Sequence, residues 1–398
     1  MKKNRRSFLS LGAAALATST GCQPGADAAK APPSELGAAV SEYGSRSPFE
    51  KAARLHNSPT PATASSRTPL EEIHGILTPP SLHFERHHAG VPQLDPAKHE
   101  LLVHGLTDRQ LIFSLADLKR LPSVSRIHFL ECAGNSGSEW RGAGGDTAQR
   151  SHGLASCSEW TGVSVKTLLA ECGLQKAATW VIAEGADACL MARSIPLEKM
   201  LDDALIAYGQ NGEALRPEQG YPLRLLLPGW EGNTSIKWLR RLHVTSEPMR
   251  SREETSHYTD LLADGQAREF SFEMDAKSLI LKPSGGQQLP GPGAFEISGI
   301  AWSGRGRIEK VEVSLDGGEK WIAAALDEPR LPKAFTRFRL PWSWKGADTI
   351  LQSRATDDTG YVQPTTEQLI AARGSNSNYH HNGIKRWRIE ASGKVTNV

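Results

Sequence analysis

The sequence predicts an α+β protein of two domains, a mixed α/β domain over residues 71–250 and an immunoglobulin-like β-sandwich over residues 275–398. The chain of 398 residues is long enough for two separate cores. Helix and strand signals alternate in the first region, whereas short alternating strands separated by Gly and Pro turns fill the second. The polar stretch 251–274 is therefore expected to link two domains of different class.

The first 28 residues have the pattern of an export signal. Basic residues, including the twin arginines Arg5 and Arg6, precede a short apolar stretch at residues 8–17. The twin arginines resemble a Tat signal, which serves proteins that fold around a cofactor before they cross the membrane. We expect a periplasmic protein, cleaved after residue 28 or, at a lipoprotein site, before Cys22.

The composition restricts both the partners and the ordered part of the chain. Lys and Arg number 46 against 44 Asp and Glu, so the basic excess that nucleic-acid binding requires is absent. No apolar run approaches the roughly 20 residues of a membrane-spanning helix. Residues 29–70 are rich in Ala, Pro, Ser and Thr, which predicts a flexible N-terminal arm.

Helix caps and apolar runs place the elements of the first domain. Ser114 is expected to cap a helix with a leucine stripe at residues 115–121, and Ser164 one that Gly173 ends. The Asn211-Gly212 pair predicts a turn after a strand. The runs predicted as strands are residues 127–130, 180–182, 205–208 and 223–227.

The second domain shows strand signals only. Apolar residues alternate in three runs, and turn residues such as Asp316-Gly317-Gly318 follow them. The alternating residues are Phe295 and Ile297, then Val311, Val313 and Leu315, then Phe338, Leu340 and Trp342. This pattern is typical of an immunoglobulin-like sandwich without helices.

The cysteines point to one candidate ligand. No C-x-x-C pair occurs, which disfavours zinc ribbons and an intrinsic c-type haem. Cys157, Cys172 and Cys189 are interpreted as disulfide-bonded or buried thiols. Cys132 differs because it follows a buried-looking strand, in a turn of small residues at 132–137, where a thiolate can reach a metal beside a large cofactor. From the residues alone, a structural thiol remains the commoner alternative.

Ordered motifs from about residue 75 to the C-terminus resemble the sulfite oxidase family of molybdenum enzymes. In the first domain they are residues 84–88 with 90–92, 130–135 with 138–140, 192–197, and 220–224 through 228–229 to 235–239. In the second they are residues 301–304, 313–318 and Trp321. The resemblance implies molybdenum with molybdopterin as cofactor, a molybdopterin-binding first domain and a second domain that dimerises.

The resemblance also implies roles for individual residues. Cys132 matches the molybdenum ligand, while Arg86, Tyr258 and Arg373 match residues around an anionic substrate, for which Arg offers fixed charged forks. The positions that match cofactor-binding residues are Arg86, His88, Cys132, Gln219, Arg224 and Lys237, with Gln219 standing where animal enzymes commonly have a histidine. Without the resemblance, these arginines would be ordinary surface residues and the tyrosine a core aromatic.

One departure from the animal enzymes bears on the substrate. Gly137 stands where they have an arginine shortly after the cysteine motif. The loss of a cation should weaken attraction for free sulfite, and a small residue should widen the entrance for a substrate held on a larger carrier.

The chain also resembles the molybdenum subunits of sulfane (sulfite) dehydrogenases. The resemblance implies oxidation of carrier-bound sulfur, no intrinsic haem, electron transfer to a c-type cytochrome, a sulfur-carrier protein as a further partner, and a homodimer or hetero-oligomer. The alternatives are a dehydrogenase of free sulfite, a reductase of an S-oxide, and a secreted binding module with a vestigial cofactor site.

Overall fold

The computed structural model describes residues 36–37, 39–57, 60–142, 144–262 and 264–398. The predicted export signal lies outside the described residues. Residues 52–398 form one compact unit that holds both predicted domains, and the described residues before position 52 belong to a separate unit. In the part of the chain that the structure describes, no helix has the length and apolar character needed to cross a membrane.

The first domain alternates short strands with short helices. Its strands are β1 (Leu55–His56), β2 (Ser65–Arg67), β3 (Glu85–Arg86), β4 (Glu100–Gly105), β5 (Leu111–Ser114), β6 (Ser123–Glu131), β7 (Ala155–Ser164), β8 (Trp180–Gly185), β9 (Ala192–Pro196), β10 (Leu205–Gln210), β11 (Glu213–Ala214), β12 (Arg224–Leu226), β13 (Leu239–Thr245), β14 (Asp260–Leu261) and β15 (Ala267–Arg268). Its α-helices are α1 (Leu115–Arg120), α2 (Ala148–His152), α3 (Val165–Cys172), α4 (Leu197–Asp202) and α5 (Arg252–Thr255). This order gives a mixed α/β domain, as predicted.

Two five-stranded sheets form the body of the first domain. One has the order β11-β10-β7-β6, with β12 also paired to β10, and the other has the order β5-β4-β13-β8-β9. Apolar residues from both sheets and from α3 share one core, among them Leu168, Val181, Leu225 and Leu242. The long antiparallel pairing of β6 with β7 ends at Glu131, so a rigid strand leads directly to Cys132.

The second domain is a sandwich of two antiparallel sheets. Its elements are β16 (Lys277–Lys282), β17 (Gly293–Trp302), β18 (Ile308–Ser314), β19 (Ile322–Ala323), β20 (Ala325–Leu326), β21 (Thr336–Trp344), β22 (Thr349–Asp357), α6 (Thr366–Arg373), β23 (Arg386–Ile389) and β24 (Val395–Asn397). The sheet orders are β16-β17-β21-β20 and β19-β18-β22-β23-β24. Buried Trp302, Phe338 and Trp387 lie in the core, and the predicted immunoglobulin-like sandwich is confirmed.

Local sequence signals located the elements of the first domain well. Ser114 caps α1 through a capping box with Asp117. Ser164 precedes α3 as predicted, although its side chain makes no cap hydrogen bond. Asn211 and Gly212 both have positive φ values, 49° and 82°, as the predicted turn requires.

The structure differs from the sequence predictions in two regions. Within the predicted flexible arm, β1 pairs with β2, which in turn pairs with β3, and Thr68 is buried with its hydroxyl 2.6 Å from that of Ser156. In the sandwich, α6 was not predicted, and it begins at a capping box between Thr365 and Gln368. Neither region has a strong apolar periodicity in its sequence, because tertiary contacts order the first and a helix cap begins the second.

The two domains meet backbone to backbone. Gly229 has a φ of +78°, and a Cβ added there would lie 2.3 Å from the carbonyl oxygen of Gly304. The amide of Met274 donates to the carbonyl of Gly229 across 3.0 Å. An ion pair of 2.6 Å between Lys333 and Asp203 also crosses the junction. The junction therefore has no room for a side chain at either glycine.

Candidate active site

A pocket in the first domain brings together the predicted site residues other than Arg373. It contains about 700 Å³ of space free of protein atoms, part of it open to solvent. The predicted residues that line it are Arg86, His88, Cys132, Gln219, Arg224, Lys237 and Tyr258. Residues separated by up to 172 positions thus share one cavity, because β3, the end of β6 and the segment around β12 converge there.

Cys132 occupies the first position after β6. Its amide donates to the carbonyl of Leu154 across 2.9 Å, and its carbonyl accepts from the amide of Asn135 across 2.8 Å. The thiol is free and half-buried. Burial raises the pKa of the Cys132 thiol, and the nearby Arg86 and Arg67 oppose that rise. The positive surroundings favour the thiolate that a metal would bind.

The other three cysteines of the described chain are also free. Cys157 and Cys172 are buried, and burial raises the pKa of Cys157 to about 12. The buried-thiol alternative therefore describes these two cysteines. The Cys189 thiol donates to the carboxylate of Asp187 across 2.9 Å.

Lys237 is fixed by protein acceptors. Its Nζ lies 2.7 Å from Nδ1 of His87 and 3.2 Å from the carbonyl oxygens of Arg86 and Glu218. Burial lowers the pKa of Lys237 to about 7. Because an ammonium has three protons, these bonds use its donors, and the residue contributes charge and backbone placement to the pocket.

Arg224 is fixed in the same way. Its two terminal nitrogens donate to the carbonyls of Gln219 and Ser235 across 3.0 and 3.1 Å, and its guanidinium lies over the ring of Trp160. Burial lowers the pKa of Arg224 to about 9. The Gln219 amide donates to the carbonyl of Phe84 across 3.0 Å. Arg224 and Gln219 thus set the shape of the pocket wall.

Tyr258 and His88 form a hydrogen-bonded pair at the pocket. The Tyr258 hydroxyl lies 2.9 Å from Nε2 of His88. Burial, with the nearby Arg86, lowers the pKa of His88 to about 4, and burial raises the pKa of Tyr258 well above its usual value. The phenol therefore keeps its proton at neutral pH, and the tautomer of His88 sets which partner donates in this bond.

A buried charge cluster behind Tyr258 was not predicted from the sequence. Arg193, 1 % exposed, donates to Glu254 and Glu231 across 3.0 and 3.1 Å, and its guanidinium lies 5.2 Å from the Tyr258 ring centroid. His380 from the second domain lies 3.2 Å from Glu231. Arg193 stands within the 192–197 motif, but the other members of the cluster, Glu231, Glu254 and His380, come from three distant segments, so spacing could not reveal them.

Arg373 and Gly137 lie elsewhere than the sequence predictions implied. Arg373, the last residue of α6, does not line the pocket and lies 3.4 Å from the carboxylate of Asp275. Gly137 does not widen the entrance, because a Cβ there would lie 2.8 Å from the carbonyl oxygen of Asn378. The segment after α6 occupies that space, which is a tertiary contact that the local sequence does not encode.

Asp187 and Asn233 line the pocket but were not singled out in the sequence. The Asp187 carboxylate accepts from the amide of Met191 across 3.1 Å. Neither polar atom of the Asn233 amide makes a hydrogen bond of normal geometry to the protein, although the amide is close enough to Glu231 to help lower the pKa of that carboxyl. Asn233 lies between the matched motifs of the 220–239 stretch, and that position is the one sequence feature that could have indicated a place in the pocket.

The pocket residues suit a large anionic cofactor. Arg86, Arg224 and Lys237 supply positive charge, while Nε of Arg224 and the Asn233 amide are buried polar groups without a hydrogen bond of normal geometry to the protein. A phosphate-bearing pterin has the negative charge and the donors and acceptors that such groups can pair with. No cluster of three or more His, Cys, Asp or Glu side chains forms a metal cage in the described ranges. Cys132 is the thiol in the pocket that could bind a metal carried by such a cofactor.

Comparison with known proteins defines the class first. Residues 88–253 match the family model described as oxidoreductase molybdopterin binding domain, and residues 268–386 match the Mo-co oxidoreductase dimerisation domain. Sulfite oxidase from Gallus gallus is 32 % identical over 324 residues, which cover 73 % of this chain and 68 % of that protein. The protein belongs to the sulfite oxidase family of molybdenum-cofactor oxidoreductases.

Two further relatives mark the range of the family. The crystal structure of the sulfane dehydrogenase SoxCD from Paracoccus pantotrophus matches with a TM-score of 0.92 and 45 % identity, over 95 % of this chain and 99 % of that chain. Nitrate reductase [NADH] from Solanum lycopersicum is 32 % identical over 352 residues, which cover 77 % of this chain. The chain spans only 38 % of that reductase.

Proposed function

We propose that this molybdenum-cofactor oxidoreductase is a sulfane dehydrogenase subunit that oxidises sulfur bound to a carrier protein. The observation that carries the proposal is the pocket itself, where Cys132 faces Arg86, Tyr258 and the fixed cations. The 45 % identity to a sulfane dehydrogenase over nearly the whole chain supports this choice among the family's activities.

Some residues of the pocket would hold the cofactor, and others would bind the substrate. When bound, the cofactor supplies two-electron transfer of an oxygen atom to sulfur. Cys132 would provide the protein thiolate to molybdenum, while Asn233 and Arg224 have atoms free to pair with the pterin and its phosphate. Lys237 would hold the backbone carbonyls of Arg86 and Glu218 in place beneath it.

Arg86 and Tyr258 are the residues that would meet the substrate. The Arg86 guanidinium, which bonds to the carbonyl of His87, places a fixed positive charge at the pocket for an anionic sulfur group. The Tyr258 hydroxyl keeps its proton because burial raises its pKa, and with the Nε2–H tautomer of His88 donating to the phenol oxygen that proton is free for the substrate. The phenol would therefore orient an oxyanion as a hydrogen-bond donor.

Free sulfite is the second candidate substrate. Asn378 fills the space beside Gly137, so the wider entrance expected for a carrier-bound substrate is not formed at that position. The 32 % identity to an animal sulfite oxidase agrees with this alternative. The same pocket chemistry serves either anion, and the route of access distinguishes them.

We further propose the cellular setting that the sequence indicates. The twin arginines at positions 5 and 6 support export through the Tat route to the periplasm. A c-type cytochrome would accept the electrons, and the similarity to SoxCD supports a partner subunit. The match to a dimerisation domain supports self-association through the sandwich.

The test combines metal analysis with substrate choice. The protein, produced with its cofactor, is expected to contain about one molybdenum per chain and to reduce cytochrome c faster with a thiolated carrier protein than with sulfite. Faster reduction with sulfite would favour the second candidate. A protein without molybdenum would overturn both.

The substitution Cys132→Ser tests the ligand directly. We expect turnover to fall at least about 10³-fold while the unfolding midpoint changes little, because the thiolate acts on the metal and not on the core. Cys172→Ala, which alters a buried thiol of α3, is the matched control and should keep its molybdenum. Full activity of Cys132→Ser would exclude Cys132 as the ligand.

A further inference from the structure

The residue before Cys132 is a fully buried glutamate. Glu131 ends β6 and is 0 % exposed. Its Oε1 accepts from Nζ of Lys277 across 2.6 Å and from the Asn135 amide across 2.9 Å. Its Oε2 accepts from Nε1 of Trp302 across 2.7 Å. A carboxylate this deep needs such partners because an unpaired buried charge is strongly destabilising.

Two of the three donors come from the sandwich domain. Lys277 opens β16 and Trp302 closes β17, and the two residues stand directly opposite each other in the antiparallel pair. Residues in that relation project from the same face of a sheet. Both side chains therefore extend into the first domain and donate hydrogen bonds to the same carboxylate, that of Glu131.

The third donor, Asn135, connects Glu131 to the cysteine loop, residues 132–136. The Asn135 side chain bonds to Glu131 with its amide nitrogen and accepts from the amide of Leu154 with its oxygen across 3.1 Å. Lys277 also donates to the hydroxyl of Ser136 across 3.2 Å. The loop is thus held at Glu131, at Asn135 and at Ser136, with Cys132 between these points.

We propose that Glu131 is a positioning residue through which the sandwich domain, by Lys277 and Trp302, fixes the cysteine loop for metal binding. The proposal rests on the proposed function in one respect, the role of Cys132 as ligand. It assigns to the second domain a part in building the cofactor site. That part is separate from dimerisation.

The chain offers a matched control for this ion pair. Lys385 of the sandwich lies 2.6 Å from Glu139, and both side chains are largely buried. That pair also joins the two domains, but Glu139 belongs to the short 3-10 helix after the cysteine loop. Only its backbone amide bonds to the loop, at the carbonyl of Ser136, and a side-chain substitution leaves that bond in place. Removal of either pair loosens the domain junction, whereas only the first should release Cys132.

The experiment compares E131M/K277M with E139M/K385M. Each double substitution removes both charges together, so neither leaves an unpaired ion and both variants should fold. The variants are made without cofactor, and the alkylation rate of Cys132 by iodoacetamide is followed by mass spectrometry. We expect about fivefold faster alkylation in E131M/K277M, a rate within about twofold of wild type in E139M/K385M, and an intermediate rate in E131Q, which keeps one of the two acceptor oxygens.

A second measurement uses the cofactor-loaded proteins. In E131M/K277M we expect less molybdenum per pterin and fewer sulfur ligands by X-ray absorption, with E139M/K385M like wild type. Equal alkylation rates and equal molybdenum content in the two double variants would overturn the proposal. Wild-type protein without molybdenum would instead overturn the proposed function, and the alkylation rates would still decide the role of Glu131 in positioning the loop.

Discussion

The backing of the cysteine loop and the pocket wall around Arg224 differ in whether their polar groups are paired. In the backing, both carboxylate oxygens of Glu131 and both polar atoms of the Asn135 amide bond to the protein. In the wall, Nε of Arg224 and the Asn233 amide make no hydrogen bond of normal geometry to the protein. An unpaired buried polar group costs about 1–3 kcal/mol. The paired backing is therefore completed by the fold, and the unpaired wall is left for a ligand to complete.

The largest expected effect comes from removing Arg193, the buried cation behind Tyr258. Arg193→Met leaves Glu231 and Glu254 buried without their cation, so we expect the free energy of unfolding to fall by about 3–5 kcal/mol. Arg240→Met is the control, because the Arg240 side chain is 43 % exposed and its partner Glu184 keeps a second cation, Arg241, so the loss should stay under about 1 kcal/mol. Denaturant unfolding measures the free energy of both variants. Equal losses would contradict the expectation that the buried arginine contributes more to stability than the exposed one.

The strand that leads to the cysteine should make stability depend on pH. Burial lowers the pKa of His128 to about 4 in the folded protein, from an ordinary value of 6.5. Between these values the unfolded chain binds the proton and the folded chain does not. Stability is therefore full above pH 6.5 and falls as the pH drops toward 4, by about 1.4 kcal/mol per pH unit for this residue.

The substitution His128→Gln isolates that contribution. Glutamine can still donate to the carbonyl of Lys333, which Nδ1 of His128 meets at 3.3 Å, but it does not titrate. Unfolding measured from pH 7 to 4.5 should show a slope shallower than wild type by about 1.4 kcal/mol per unit. An unchanged slope would show that His128 takes up its proton in the folded protein.

A smaller effect is expected where the cysteine side meets the segment after α6. Gly137→Ala brings a Cβ to 2.8 Å from the carbonyl oxygen of Asn378, so we expect a loss of about 1–3 kcal/mol in unfolding free energy. Gly293→Ala, whose Cβ would meet Phe295 at an ordinary 3.7 Å, should change it by under about 0.5 kcal/mol. An unchanged unfolding free energy in Gly137→Ala would mean that the packing between Gly137 and Asn378 is loose.

The smallest effect on the protein alone is expected on the unpaired wall. Asn233→Ala should change the unfolding free energy of cofactor-free protein by under about 0.5 kcal/mol, because its amide makes no hydrogen bond of normal geometry to the protein. It should reduce the rise in Tm that cofactor loading produces. Asn211→Ala is the contrast, since that side chain bonds to Glu159 and Thr78 and should weaken both forms alike.

Local signals in the sequence predicted the framework of the site. The Ser114 cap, the Asn211-Gly212 turn and the strand before Cys132 depend on neighbouring residues and were found as expected. The motifs that resemble the family also named most of the residues that line the pocket. These features are encoded within a few positions of one another, so a single sequence suffices to read them.

The remaining features depend on distant parts of the chain. The Arg193 cluster joins β9, α5 and the segment after α6, and Gly137 meets Asn378 across 241 positions of sequence, as the numbering shows. Arg373 matched a substrate position by motif, but in the structure it lies beside Asp275. Charge pairing between remote segments leaves no periodic pattern, which is why these contacts could not be predicted.

The hydrogen bonds from the sandwich domain to Glu131 have a consequence for the order of events during synthesis and folding. Glu131 and Lys277 lie 146 positions apart, so a ribosome synthesises the cysteine loop on the order of 10 s before its anchor. During that interval the nascent first domain has a carboxylate without its cation. We expect the machinery that inserts the cofactor to find a finished loop only after the second domain has been synthesised and has folded.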